Sequence, residues 1–129
     1  MKVLLDTSAY IRLLKGSPDL VDSIMGAETV LMSPIVLGEL MFGFRKGTRV
    51  QVNMKDLEEF LSQDTVHRIT LGETTADRYS RISVQLKRQG TPIPTNDIWI
   101  AAQAMEHGAD LLTFDRHFEM IHGLVCTVY

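Results

Sequence analysis

The chain has 129 residues, with one cysteine, four prolines and no long apolar run. A lone Cys126 excludes an intramolecular disulfide and a cysteine metal cluster, so a reducing, cytoplasmic setting is expected. It lies in Leu124-Val125-Cys126, where a buried structural thiol is expected and a nucleophile is not. Asp6 breaks the first apolar segment after three residues, so no secretory leader is expected. No stretch approaches the roughly 20 apolar residues of a membrane span. Basic excess is missing too, since 13 Lys and Arg stand against 16 Asp and Glu for a formal charge of −3. That argues against binding polyanions through bulk charge. An acidic centre ringed by local cations remains compatible with it. Repeats, low-complexity tracts and linkers are absent, so residues 1–129 read as one domain that buries roughly two-thirds of its unfolded surface.

What is present alternates between two periodicities. Lys2-Val3-Leu4-Leu5 reads as a fully buried strand, suited to the centre of a parallel sheet. Asp6-Thr7-Ser8 follows, and a helix over 9–15 ends at Gly16. Pro18 opens a helix to about Met25. Thr29–Met32 is the second strand. Ser33-Pro34 supplies an N-cap and a proline at the first helical position. That helix runs to Arg45 or Lys46, with Leu37, Leu40, Met41 and Phe44 as its buried stripe. Thr48 is expected to cap a helix to about Gln63 striped by Val50, Met54, Leu57 and Leu61. Residues 65–69 form a third strand, less hydrophobic and so nearer an edge. A long helix from Gly72 to Gly90 turns Ala76, Tyr79, Ser83 and Leu86 inward. Two prolines hold Thr91–Pro94 extended. Thr95-Asn96-Asp97 caps a helix over 98–107. Asp110–Thr113 is the fourth strand, Arg116–Met120 a turn or short helix, and residues 125–128 the last strand. Such alternation predicts an α/β fold, a parallel sheet covered by helices on both faces.

Four carboxylates lie where strands end or helices begin: Asp6, Glu39, Asp97 and Asp115. For Asp6, a helix cap and a site carboxylate are equally good local readings. Glu39 has only Ile35, Val36, Phe42 and Gly43 one helical turn away, so no basic partner is in reach. Asp97 likewise has Ile93, Pro94, Ile100 and Ala101. Arg116 adjoins Asp115 but does not face it. Right-handed crossovers bring strand C-termini to one edge, which unites Asp6 and Asp115 and draws Glu39 near. Asp97 joins them only if the loop over 91–94 returns its helix to that edge. At about 5 Å and an effective dielectric near 20, each like-charged pair costs on the order of 3 kcal/mol. Protonation or a divalent cation offsets that cost. Oxygen donors without cysteine or a paired histidine motif suit Mg²⁺ or Mn²⁺ better than Zn²⁺. Such ions polarise phosphates and activate water.

The pieces Leu5-Asp6-Thr7-Ser8, Glu39 within 34–40, Asn96-Asp97-Ile98-Trp99-Ile100-Ala101-Ala102, and Leu112-Thr113-Phe114-Asp115-Arg116-His117-Phe118 span nearly the whole chain. In that order and spacing they resemble PIN-domain ribonucleases, specifically VapC-type toxins of toxin–antitoxin pairs. The resemblance implies a three-layer α/β/α PIN-like fold with a five-stranded parallel sheet in order 3-2-1-4-5. It also implies an Mg²⁺- or Mn²⁺-dependent endoribonuclease, a cognate antitoxin, a homodimer, and contact with DNA only through the antitoxin. Asp6, Asp97 and Asp115 match the metal ligands, and Glu39 a ligand or an orienter of water. Thr7, Ser8, Asn96 and Thr113 match the polar positions that orient those carboxylates. Some members carry a further acid where His117 stands; a partly exposed surface histidine is the simpler expectation there.

The cationic groups Arg12 with Lys15, Arg45-Lys46 with Arg49, and Arg78-Arg81 with Lys87-Arg88 each have a plain reading as solvated helix faces. Arg12, within two turns of Asp6, is the preferred contact to RNA phosphate. Trp99 is expected in the core. A haloacid-dehalogenase-type phosphatase would need an aspartate at Ser8. A receiver domain would need a leading acidic pair and a late strand-end lysine. A PIN-like protein that only binds RNA or protein would be expected to lack one of the four acids.

Overall fold

Val3, Leu4 and Leu5 are wholly buried in the computed structural model, which describes residues 1–129. They form β1 (Lys2–Leu5), which is flanked on both sides by parallel partners. The others are β2 (Thr29–Met32), β3 (Val66–Arg68), β4 (Asp110–Thr113) and β5 (Cys126–Val128), in the order β3-β2-β1-β4-β5. All four pairings are parallel, with Leu4 opposite both Leu31 and Leu111. Three consecutive bulky aliphatics can occupy β1 because both of its faces are covered. Edge strand β3 buries only Val66.

The helices are α1 (Thr7–Leu14), α2 (Pro18–Met25), α3 (Pro34–Lys46), α4 (Val50–Leu61), α5 (Glu73–Gln89) and α6 (Thr95–His107), with a 3₁₀ turn at Arg116–Met120. The chain steps from β1 to β2 and β3, then crosses back to β4 and β5 on the other side of β1. Right-handed crossovers therefore put α1–α4 on one face and α5–α6 on the other. The reversal opens a crevice at the carboxyl ends of β1 and β4, where open α/β sheets hold ligands.

Local signals explain most element ends. Ser33 Oγ accepts from the Ile35 N–H at 3.0 Å and Pro34 occupies the first position of α3. Gly90 closes α5 at φ +67°, a left-handed conformation that glycine adopts without steric cost. Several expectations need correction. Asp6, and neither Thr7 nor Ser8, caps α1. Arg49 precedes α4 without any side-chain cap, so Thr48 does not cap it. Helix α6 starts at Thr95, which puts Asp97 inside its first turn and leaves Pro94 at the cap position. Ala76 is exposed, and the buried face of α5 is Thr75, Ile82 and Leu86. In α3 the deepest residues are Val36 and Leu40, while Leu37, Met41 and Phe44 pack on the core's border. Trp99 is half-buried and stacks on Tyr79 with 4.0 Å between ring centroids, joining α6 to α5. Cys126 is partly buried, and burial with the nearby Glu119 and Asp110 carboxylates pushes its thiol pKa up.

Candidate active site

Asp6 begins where β1 ends. Its backbone N–H continues the β1–β4 ladder by donating to the Leu112 carbonyl at 3.2 Å. Its side chain is 3% exposed and receives three hydrogen bonds. Oδ1 accepts from the Ala9 N–H at 2.8 Å and from the Ser8 hydroxyl at 2.7 Å, and Oδ2 accepts from the Thr113 hydroxyl at 2.5 Å. Capping and membership of a site are thus not alternatives for Asp6. One oxygen caps α1 and the other faces β4.

Thr113 and Ser8 tie this carboxylate to the next strand. Thr113 Oγ1 accepts from the Asp115 N–H at 2.9 Å, and Ser8 Oγ accepts from the Phe114 N–H at 3.1 Å. The turn after β4 is therefore shaped by the same hydroxyls that hold Asp6. Arg116 pairs with Glu119 and leaves Asp115 unpaired by its neighbour.

Glu39 comes from α3, in its second turn past the Ser33 cap. Thr7 donates to its Oε1 at 2.6 Å and Asn96 to its Oε2 at 3.3 Å. The loop over 91–94 does bring α6 to this edge, because Asp97 feels the negative charges of both Glu39 and Asp6. Asp97 Oδ2 lies 2.6 Å from His117 Nε2. His117 is thus a partner of a site carboxylate and more than a surface histidine. Its signal in the sequence was its place two residues after Asp115.

Electrostatics mark the cluster. Burial pushes the Asp6 carboxyl above its ordinary pKa of 3.8, against the hydrogen bonds from Thr113, Ser8 and Ala9, and Asp115 adds to the rise. Asp97 is raised for the same reason, with His117 opposing and Glu39 and Asp6 adding. Two neighbouring carboxyls with disfavoured charge invite a cation or a proton.

The donor set suits a hard divalent cation in chemistry, since the neighbouring groups are carboxylates without a thiol. No group of three Asp, Glu, His or Cys side chains is already gathered tightly enough to hold an ion. Asp97 turns one of its two oxygens, Oδ2, toward His117.

The Arg12 guanidinium carbon lies over the Phe114 ring, 4.9 Å from its centroid, beside the turn that carries Asp115. Phe114 as the platform for Arg12 escaped the sequence reading, because 102 positions separate two residues that meet only across the β1–β4 pair. Arg81 pairs with Asp77 and Arg68 with Glu58 on the surface.

Comparison with known proteins identifies the family. The family model for the PIN domain matches residues 3–124. Ribonuclease VapC2 of Haemophilus influenzae is 32% identical over 127 residues, covering 96% of this chain and 95% of that protein. The tRNA(fMet)-specific endonuclease VapC of Salmonella typhimurium is 31% identical over the same length, with the same 96% and 95% coverage. Among solved structures, VapBC2 of Rickettsia felis bound to a promoter DNA fragment superposes with a TM-score of 0.91 at 25% identity, covering 100% of this chain and 99% of that one. DNA-bound VapBC of Salmonella typhimurium gives 0.87 at 28% identity, covering 99% and 98%. Fold and relatives agree: the chain belongs to the PIN-domain family.

Proposed function

We propose that this protein is a metal-dependent endoribonuclease and the toxin half of a toxin–antitoxin pair. The observation that carries the reading is the meeting of Asp6, Glu39, Asp97 and Asp115 at the β1–β4 crevice, with burial raising Asp6 and Asp97. Its relatives are named ribonucleases and an endonuclease, which supports RNA as the substrate.

Asp6, Asp97 and Asp115 would hold Mg²⁺ or Mn²⁺, with Glu39 as a further ligand or an orienter of water. The ion supplies charge at the phosphate and lowers the pKa of bound water. Thr113 and Ser8 fix the Asp6 oxygens, and Thr7 with Asn96 fixes those of Glu39. Arg12, backed by Phe114, is placed to grip a flanking phosphate. Water adds to phosphorus and the P–O3′ bond breaks, leaving a 5′-phosphate and a 3′-hydroxyl.

These two solved neighbours are VapBC complexes, which supports a protein antitoxin as partner. DNA contact only through that partner is what the resemblance implies. A homodimer in the cytoplasm is the setting that the resemblance implies. No helix is long and apolar enough to cross a membrane.

The test is cleavage of RNA by protein freed of any copurifying partner, with Mg²⁺ or Mn²⁺ and with chelator. Wild type cleaves only with metal, and Asp6→Asn lowers the rate at least about 100-fold while its circular dichroism is unchanged. Equal cleavage by Asp6→Asn would remove the assignment. RNA binding without cleavage by wild type would favour a non-catalytic PIN-like domain.

A further inference from the structure

Helix α3 carries an exposed row, Pro34, Gly38, Phe42 and Lys46, at intervals of four residues, so all four share one face. Phe42 is 65% exposed, a large aromatic surface left in water. Its ring faces a groove of about 340 Å³ lined by Pro34, Ile35, Gly38, Glu39, Phe42 and Asn96. Two of these residues, Glu39 and Asn96, are hydrogen-bonded to each other and belong to the acidic centre. The groove is therefore continuous with the place where the phosphate is to be cut.

Gly38 is a second and independent sign. A Cβ built there meets no atom within 4 Å, so packing does not require glycine. A mid-helix glycine is among the least favourable choices against alanine. What its missing side chain does provide is a flat stretch of α3 backbone on the groove wall, open to a planar group. Beyond Phe42, the Lys46 ammonium sits 4.8 Å from the ring centroid, with Arg45 and Arg49 close in sequence. An aromatic platform followed by cations matches a base followed by its phosphates.

We propose that this groove is a nucleobase subsite: one base of the RNA, next to the scissile phosphate, stacks on Phe42 over the Gly38 backbone, and Lys46 meets the adjoining phosphate. The inference rests on the endoribonuclease reading and adds a binding determinant to it. The groove is shallow, bordered by Glu39 and Asn96 and capped by a cation. That polar border suits the edge of a base better than an apolar side chain from a protein partner. Stacking is tolerant of base identity, so the subsite contributes affinity and register more than strict sequence choice.

The test is steady-state cleavage of a mixed-sequence single-stranded RNA with Mn²⁺, together with fluorescence quenching of a 2-aminopurine-substituted RNA bound to protein carrying Asp6→Asn. Phe42→Ala is expected to raise KM about tenfold with a smaller change in kcat, and to abolish part of the quenching. Phe42→Trp restores both. Gly38→Ala is expected to raise Tm yet raise KM, because the new methyl enters the groove. Gly43→Ala, equally unobstructed but outside the groove, raises Tm and leaves KM alone. If wild type cleaves and the Phe42 and Gly38 variants keep its KM and quenching, the subsite is refuted and the nuclease reading stands. If those variants keep RNA turnover but lose capture of a coexpressed antitoxin, the groove is a protein-docking face and the proposal fails. If wild type neither binds nor cleaves RNA, the reading beneath it fails as well.

Discussion

Thr113 donates its hydroxyl to Asp6 Oδ2 at 2.5 Å, joining residues 107 positions apart in the sequence. Thr113 Oγ1 also accepts from the Asp115 N–H, so one hydroxyl sets the orientation of one acid and the backbone entry to another. Thr113→Val keeps the shape and removes both bonds. Cleavage is expected to fall roughly 10- to 100-fold. Because this bond lowers the Asp6 pKa, its loss pushes that pKa further up and moves the acid limb of the pH–rate profile to higher pH. Thr113→Ser should retain both. An unmoved profile in Thr113→Val would show that the hydroxyl does not tune Asp6.

Asp6 sets the stability of metal-free protein against pH. Its folded pKa is raised above the 3.8 of an ordinary aspartate. The associated stability is therefore complete below that pH and is lost as pH rises through the folded value. Where it is ionised the buried carboxylate weakens the fold, so Asp6→Asn should raise Tm in chelator at neutral pH. That advantage should vanish in acid, below about pH 4. Added Mg²⁺ or Mn²⁺ should raise wild-type Tm more than that of Asp6→Asn. Scanning calorimetry at acid and neutral pH, with and without metal, checks all three signs.

His117 and Asp97 form a close pair, Nε2 to Oδ2 at 2.6 Å, and a metal ion held by Asp97 as proposed would compete with that contact. His117→Asp exchanges a partner for a like charge. In chelator its Tm should fall below wild type, and the gain on adding Mn²⁺ should exceed the wild-type gain. Equal metal-free and metal-loaded shifts would mean that the His117 contact does not restrain Asp97.

Tyr10 is wholly buried and its hydroxyl has no hydrogen-bond partner. Burial, with a contribution from Asp56, pushes its pKa up to about 12. Below the unfolded value near 10 both states are protonated; between there and about 12 only the unfolded chain ionises, so stability declines as pH rises. Tyr10→Phe keeps the edge-on contact with Phe60 at 5.4 Å and discards the unpartnered hydroxyl. It should be as stable as wild type or more so at neutral pH. Denaturant melts at about pH 9 and about pH 11 should show a shallower loss than wild type.

Local patterns carried much of the architecture. The run Val3-Leu4-Leu5 announces a central strand because only a strand covered on both faces accommodates three consecutive aliphatics. Ser33-Pro34 announces α3 because a hydroxyl acceptor and a fixed φ are both needed at one helix start. Patterns failed where the neighbours are remote. On α5, Thr75 rather than Ala76 turns inward, where its hydroxyl donates to Glu106 on α6 at 2.5 Å. Polarity alone would have put threonine outside.

The sequence by itself determined that four carboxylates stand at strand ends and helix starts without basic partners one turn away. It also determined that the strands alternate with helices, which brings the ends of β1 and β4 to one edge. The resemblance pointed to Thr7, Ser8, Asn96 and Thr113 as orienting groups. Only the tertiary structure decided which acid each answers, Thr7 and Asn96 for Glu39 and Ser8 and Thr113 for Asp6, and added His117 for Asp97. Periodicity reports which face of an element is buried, through forces acting over one or two turns. A hydrogen bond needs two atoms placed within a few tenths of an ångström. That placement depends on sheet register and on the loop over 91–94, where chain segments far apart in sequence set each other's positions.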